Sequence, residues 1–163
     1  MARSRYRGRM NSLLKHPVRA VAVAALLSLA TISPAAAVSS STYESQVISR
    51  TNHVRADHDR VKVKAQSCVD RWAEGQARWM AKHGNLQHRK GRLAKILKDC
   101  KLTGVSENIA YGYGSGNKTV NAWMKSSGHR HNILASKMRY VGVGAVKDSD
   151  GVWWVAQVFG TKK

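Results

Sequence analysis

Apolar residues recur at two periods along this chain, and the change from one to the other divides it. Tyr43, Val47, Ile48 and Val54 come at roughly helical intervals, which predicts a first helix ending near Asp57. Asp57 to Lys64 reads as a charged connection, too hydrophilic for a core. Val69, Trp72, Ala73, Gln76, Ala77 and Met80 then repeat as i, i+3, i+4, i+7, i+8 and i+11, the clearest helix in the chain. Ser67 followed by Asp70 resembles a capping box, and Gly84 is a plausible stop. A basic polar segment, Asn85 to Arg92, comes next. Leu93, Ile96 and Leu97 predict a short helix before Cys100.

Beyond Cys100 the pattern turns extended. Leu102 to Ser106 lead into Glu107-Asn108-Ile109-Ala110-Tyr111-Gly112-Tyr113, a strand-like segment with a carboxylate at its start. Gly114-Ser115-Gly116 is a turn, and Thr119 to Lys125 form a helix presenting Val120 and Trp123. Val141, Val143 and Ala145 alternate with Gly142 and Gly144. After the turn Asp148-Ser149-Asp150-Gly151, Val152 to Phe159 return as the second strand of a hairpin. The two alternating glycines predict close backbone approach or a bulge. Helices come first and a hairpin last, so the class is α+β in layers.

The N-terminus follows neither pattern. Arg3, Arg5, Arg7, Arg9, Lys15 and Arg19 precede an apolar run from Ala20 to Ile32 and the small residues Ala35-Ala36-Ala37. This is the layout of a secretory signal peptide, residues 1–37, cleaved after Ala37. The run is shorter than the roughly 20 residues that span a bilayer, which argues against an anchor. Residues 38–42 would be a short polar lead and residues 43–163 the domain. The expected location is secreted and extracellular.

Charge narrows the partners. The 163 residues contain 28 Lys+Arg against 9 Asp+Glu. With the six basic residues of the leader removed, 22 remain against 9, a formal +13. Outside a cell such a charge favours anionic surfaces: wall polymers, lipid head groups or stray nucleic acid. No recognised nucleic-acid-binding motif accompanies it, so no specific nucleic acid is expected. A solvated basic surface is the plainer alternative. Cys68 and Cys100 admit one intramolecular pairing, and export makes oxidation possible, so a Cys68–Cys100 disulfide is expected.

Candidate chemistry gathers between Trp123 and Leu134, where a large aromatic, a Ser126-Ser127-Gly128 turn and two histidines precede Ile133 and Leu134. Helical spacing puts His129 and Ile133 on one face, an imidazole at the edge of a core. The bland reading is a corner between helices with a hydrogen-bonded histidine. Imidazole and carboxylate together suit zinc, and the candidates are His88, Glu107 and His129. Their spacing matches no metal-binding motif.

Four pieces in order resemble the CAP superfamily, the cysteine-rich secretory, antigen 5 and pathogenesis-related 1 proteins, and most of all its short bacterial secreted branch. They are Asn52-x-x-Arg55; Glu107-Asn108-Ile109-Ala110-Tyr111-Gly112; Trp123-Met124-x-Ser-Ser-Gly-His129-Arg130-x-Asn132-Ile133-Leu134; and Val141-Gly142-Val143-Gly144 with Trp154-Val155-x-Gln157-Val158-Phe159. The resemblance covers about residues 43 to 160. It implies an α-β-α sandwich with a central antiparallel sheet. It also implies an open cleft lined by two histidines and two acids. By motif, Glu107 and His129 match; the second histidine is best matched by His88, with His83 behind it. The family's second acid has no counterpart here, because the tryptophan helix carries none. The cleft is therefore at most a triad.

Three functions follow as expectations. The first is a secreted, non-catalytic binding or effector module, monomeric, whose cleft takes a small or lipid-like ligand such as a sterol. Its basic face would hold it near anionic cell-envelope polymers. No cofactor is required, and a divalent metal such as zinc would bind weakly. The alternative is a metal-assisted hydrolase or peptidase, with His88 and His129 on zinc and Glu107 acting on the bound water. Ser126 or Ser127 would be a conceivable nucleophile, though serine in such a turn is more often a helix cap. The third is an antimicrobial or wall-targeted protein acting through charge alone.

Overall fold

The computed structural model describes residues 38–162. The leader assigned to residues 1–37 lies outside them. The helices are α1 (Ser40–Asp57), α2 (Ser67–His83), α3 (Arg92–Asp99), α4 (Gly116–Lys125) and α5 (Ser127–Leu134). The strands are β1 (Lys64–Ala65), β2 (Gly104–Tyr111), β3 (Tyr140–Lys147) and β4 (Trp153–Thr161). The sheet runs β1-β3-β4-β2, antiparallel except where β1 joins β3.

The two-residue side-chain period of a strand explains the layering. Val155 and Phe159 of β4 join Val141, Val143 and Ala145 in a core with Tyr43, Val47, Val120, Trp123 and Ile133, from α1, α4 and α5. Trp154, Ala156 and Val158 point the other way, into cores with Val69, Ala73, Ala77 and Met80 of α2. Every residue of β4 from Trp153 to Gly160 is buried. The result is an α-β-α sandwich.

The glycines of β3 make close approach possible. A Cβ on Gly142 would collide with the backbone of Val69 and Asp70, and one on Gly144 with that of Ala73 and Glu74. Helix α2 thus lies backbone to backbone on the strand, and no bulge is needed. The Cys68–Cys100 disulfide forms and ties the start of α2 to the end of α3.

Three local expectations need correction. Helix α1 begins at Ser40, inside the expected polar lead, because Ser39 Oγ accepts from Thr42 N at 3.1 Å and caps it. The cap of α2 is Gln66, whose side chain accepts from Val69 N at 2.9 Å, and not Ser67. Asp70 instead reaches the sheet, accepting from Val143 N at 3.1 Å; Glu44 does the same for Ala145 N at 3.0 Å. The charged connection after α1 also contains core: Val63 is buried, and the next two residues form β1. Asn52 fixes that connection by bonding Val63 through both its amide groups, and the fully buried Arg55 donates to the carbonyls of Val61, Ile133, Ala135 and Met138. The Asn52-x-x-Arg55 pair is therefore a knot between α1 and the two loops it meets.

Candidate functional site

Strand β2 carries the site because its neighbouring residues face opposite layers. Glu107 points toward α2 and α3, and Asn108 toward α1 and α5. Asn108 Nδ2 donates to Gln157 Oε1 at 3.1 Å and to the His129 carbonyl at 3.3 Å. Its Oδ1 accepts from Asn132 Nδ2 at 2.9 Å, and Gln157 Nε2 donates to Thr51 Oγ1 at 2.9 Å. Asn132 also donates to the Glu107 carbonyl at 3.2 Å. This chain of neutral groups holds α5, and so His129, against β2 and β4.

On the other layer Glu107 is charged and enclosed. Its side chain is 2% exposed. His88 Nδ1 donates to Glu107 Oε1 at 2.9 Å, while Arg92 Nε lies 3.4 Å from Oε2. Sequence reasoning passed over Arg92, reading it as the end of a polar segment. The available signal was that Arg92 and Ile96 stand i, i+4, and these two are the buried residues of α3. Arg92 also stacks over the Trp72 ring at 4.9 Å and donates to the Trp72 carbonyl. Burial pushes its guanidinium down to about 10, which leaves it cationic at neutral pH.

The two candidate histidines differ. The hydrogen bond to Glu107 raises His88 above the ordinary imidazole value. Burial, then the nearby charge of His88, lowers His129. The His129 ring lies 6.2 Å from that of Trp123, and Trp123 Nε1 donates to the Ile109 carbonyl at 3.1 Å. So the structure brings His88 and Glu107 into contact and leaves His129 outside that pair, close enough to feel it. His83 stacks on Trp79 instead and bonds the Trp79 carbonyl, away from Glu107.

His129 opens onto a cleft of about 270 Å³ whose other walls include Leu86, Ile109, Tyr111, Tyr113 and Trp123. Ser126 also lines it, and its side chain makes no capping bond to α5. A zinc ion fits the polar group beside this cleft poorly. The carboxylate it would need already faces the fixed cation Arg92, and among the described residues no three His, Cys, Asp or Glu side chains are grouped to hold a metal.

Residues 48–159 match the cysteine-rich secretory protein family, and the chain belongs to it. It is 30% identical over 125 residues to the uncharacterized protein YkwD of Bacillus subtilis, covering 74% of this chain and 48% of that protein. The fold is shared with an outer surface protein of Borrelia burgdorferi, at a TM-score of 0.65 and 20% identity, over 72% of this chain and 90% of that one. An extracellular SCP-domain protein of Bacillus anthracis matches at a TM-score of 0.65 and 24% identity, over 76% of this chain and 41% of that one. The chain spans about half the length of YkwD. Among the described residues no helix is long and apolar enough to cross a membrane.

Proposed function

We propose that this chain is a secreted, non-catalytic binding module that needs no cofactor. Its ligand is small or lipid-like and enters the cleft between Leu86, Tyr111, Tyr113, Trp123 and His129. Its basic surface keeps it near the anionic cell envelope. One observation carries the reading: the walls of that cleft are mostly aromatic and aliphatic, with no carboxylate among the residues that line it. Such a site offers apolar contact and an imidazole to orient a ligand, which is the composition of a binding pocket. The extracellular and outer-surface relatives support the location.

The test is to incubate the mature protein with an envelope lipid extract, repurify it and identify what it retains by mass spectrometry. Retention that Tyr111→Ala and Tyr113→Ala abolish supports the reading; no retained species overturns it. A second reading, hydrolysis, draws on the His88–Glu107 hydrogen bond, which leaves His88 Nε2 free to take a proton. It requires turnover of a peptide or ester library that Glu107→Gln removes.

A zinc titration with thermal melts sharpens the choice. Zinc uptake by the native protein should be weak, and His129→Ala should lower it further while leaving most of the stability. Trp123→Ala should cost about 3–5 kcal/mol, because the indole is buried. Unfolding of His129→Ala with zinc uptake unchanged would make His129 a core residue and sink the cleft reading.

A further inference from the structure

The segment Asn85 to Gly91 separates the aromatic cleft from a second cavity of opposite character. That cavity, of about 200 Å³, is lined by Trp72, Arg89, Lys90, Arg92 and Lys95. Four of its five walls are cationic. A solvated basic patch would keep its charges in water, but here one is drawn inside. Arg92 is 4% exposed, and its Nη1 and Nε have no hydrogen-bond partner. Burying an unpaired donor of a charged group is costly, so such a group is normally matched. Glu107 offsets part of the charge from behind, at 3.4 Å from Nε, but leaves Nη1 unmet.

Neighbouring features point the same way. Arg89 is braced, with its Nε donating to Gln76 Oε1 at 2.9 Å and its guanidinium over the Trp79 ring. Lys95 stands one turn along α3 from Arg92, on the same face. Gly91, the N-cap of α3, supplies no side-chain cap; the Arg92 N–H donates to the Arg89 carbonyl, and the rest of the first turn adds positive potential near the cavity. The lining contributes charged donors and an aromatic wall, with no carboxylate.

We infer that this cavity is a phosphate-binding site. A tetrahedral oxyanion of roughly −1.5 to −2 charge suits several converging cations. At about 200 Å³ the cavity admits a head group and not a whole drug-sized ligand, for which about 300 Å³ is the lower bound. The phosphate could be free, carried on a soluble ester, or presented by a lipid. The inference stands whether or not the aromatic cleft takes an apolar ligand.

The experiment follows the Trp72 indole N–H and the Arg92 Nε–H by nitrogen-15 NMR in the mature protein at ~150 mM salt, where exposed charge contacts are screened. Inorganic phosphate and glycerol phosphate are titrated separately. Both resonances should shift saturably. Lys90→Gln with Lys95→Gln, both exposed positions, should weaken binding about tenfold, the equivalent of one charge-assisted hydrogen bond. Lys137→Gln is the control. Its cavity, shared with Arg139 and Lys162, is also basic, but none of its cations is buried. Lys137→Gln should change nothing. Vesicles containing phosphatidylglycerol then distinguish the sources. Binding that the Lys90/Lys95 variant loses assigns a lipid head group, and no vesicle binding assigns a free or soluble phosphate. Absence of saturable shifts at Arg92 and Trp72 overturns the site, as does equal binding by all variants. So does vesicle binding without phosphate binding.

Discussion

Two buried polar networks lie back to back on β2, and they are built differently. The one facing α1 and α5 is neutral: Thr51, Gln157, Asn108 and Asn132, with each of the two central amides both donating and accepting. The one facing α2 and α3 is charged: His88, Glu107 and Arg92. Among the described residues four buried side-chain atoms lack a hydrogen-bond partner, and three of them are Arg92 Nε, Arg92 Nη1 and Glu107 Oε2. A satisfied network fixes a fold; an unsatisfied one costs stability and persists where it serves something else. By that contrast Asn108 and Gln157 belong to architecture, while Arg92 and Glu107 keep polar atoms that the fold leaves unmatched.

The largest expected effect breaks the charged network on one side only. Arg92→Met alone, or Glu107→Leu alone, should cost about 3–5 kcal/mol, because the remaining charge is buried without its partner. The double variant should recover most of that loss or exceed the native stability. Urea melts of the four proteins in a double-mutant cycle measure it, and strictly additive losses would show that the pair does not interact. The neutral network should give a smaller loss. Asn108→Ala leaves the Asn132 amide and the His129 carbonyl short of a partner and should cost about 1–3 kcal/mol in the same melts. It should also loosen α5, seen as faster amide exchange from His129 to Ile133.

The smallest effect separates the two histidines by pH. Hydrogen bonding raises His88 above its ordinary 6.5, so its contribution to stability is full below 6.5 and is lost as pH rises through the folded value. Burial lowers His129 below 6.5, so its contribution is present above 6.5 and is lost as pH falls through the folded value. Carbon-13 NMR titration of the two rings should find midpoints on opposite sides of 6.5. Glu107→Gln should lower the His88 midpoint. A His88 midpoint at or below 6.5 would mean that Glu107 does not govern His88.

Much of this molecule could be read from its sequence, and the exceptions share a cause. The stripe from Val69 to Met80, the glycines of β3 and the Cys68–Cys100 pair are legible because each follows from a period, a missing side chain or simple counting. Val63, Gln66 and Arg92 were not. Each is a residue whose type argues one way and whose neighbours in space decide otherwise: an apolar residue in a charged stretch, a long amide at a cap, an arginine inside. Motif resemblance named Glu107, His88 and His129, and the structure joins two of them directly. What resemblance did not supply is the arginine on the far side of the carboxylate.

The carboxylates of Glu44 and Asp70 have one more consequence. Strand β1 pairs with β3 only at Tyr140 and Val141, so the outward N–H groups of Val143 and Ala145 lie beyond its reach. Left bare, they would template another extended chain. Two helices instead each lend an acid to that edge. Any intruding strand must first strip two carboxylates from their donors and leave them without partners. The edge of this sheet is closed by charge where a longer strand would otherwise be needed.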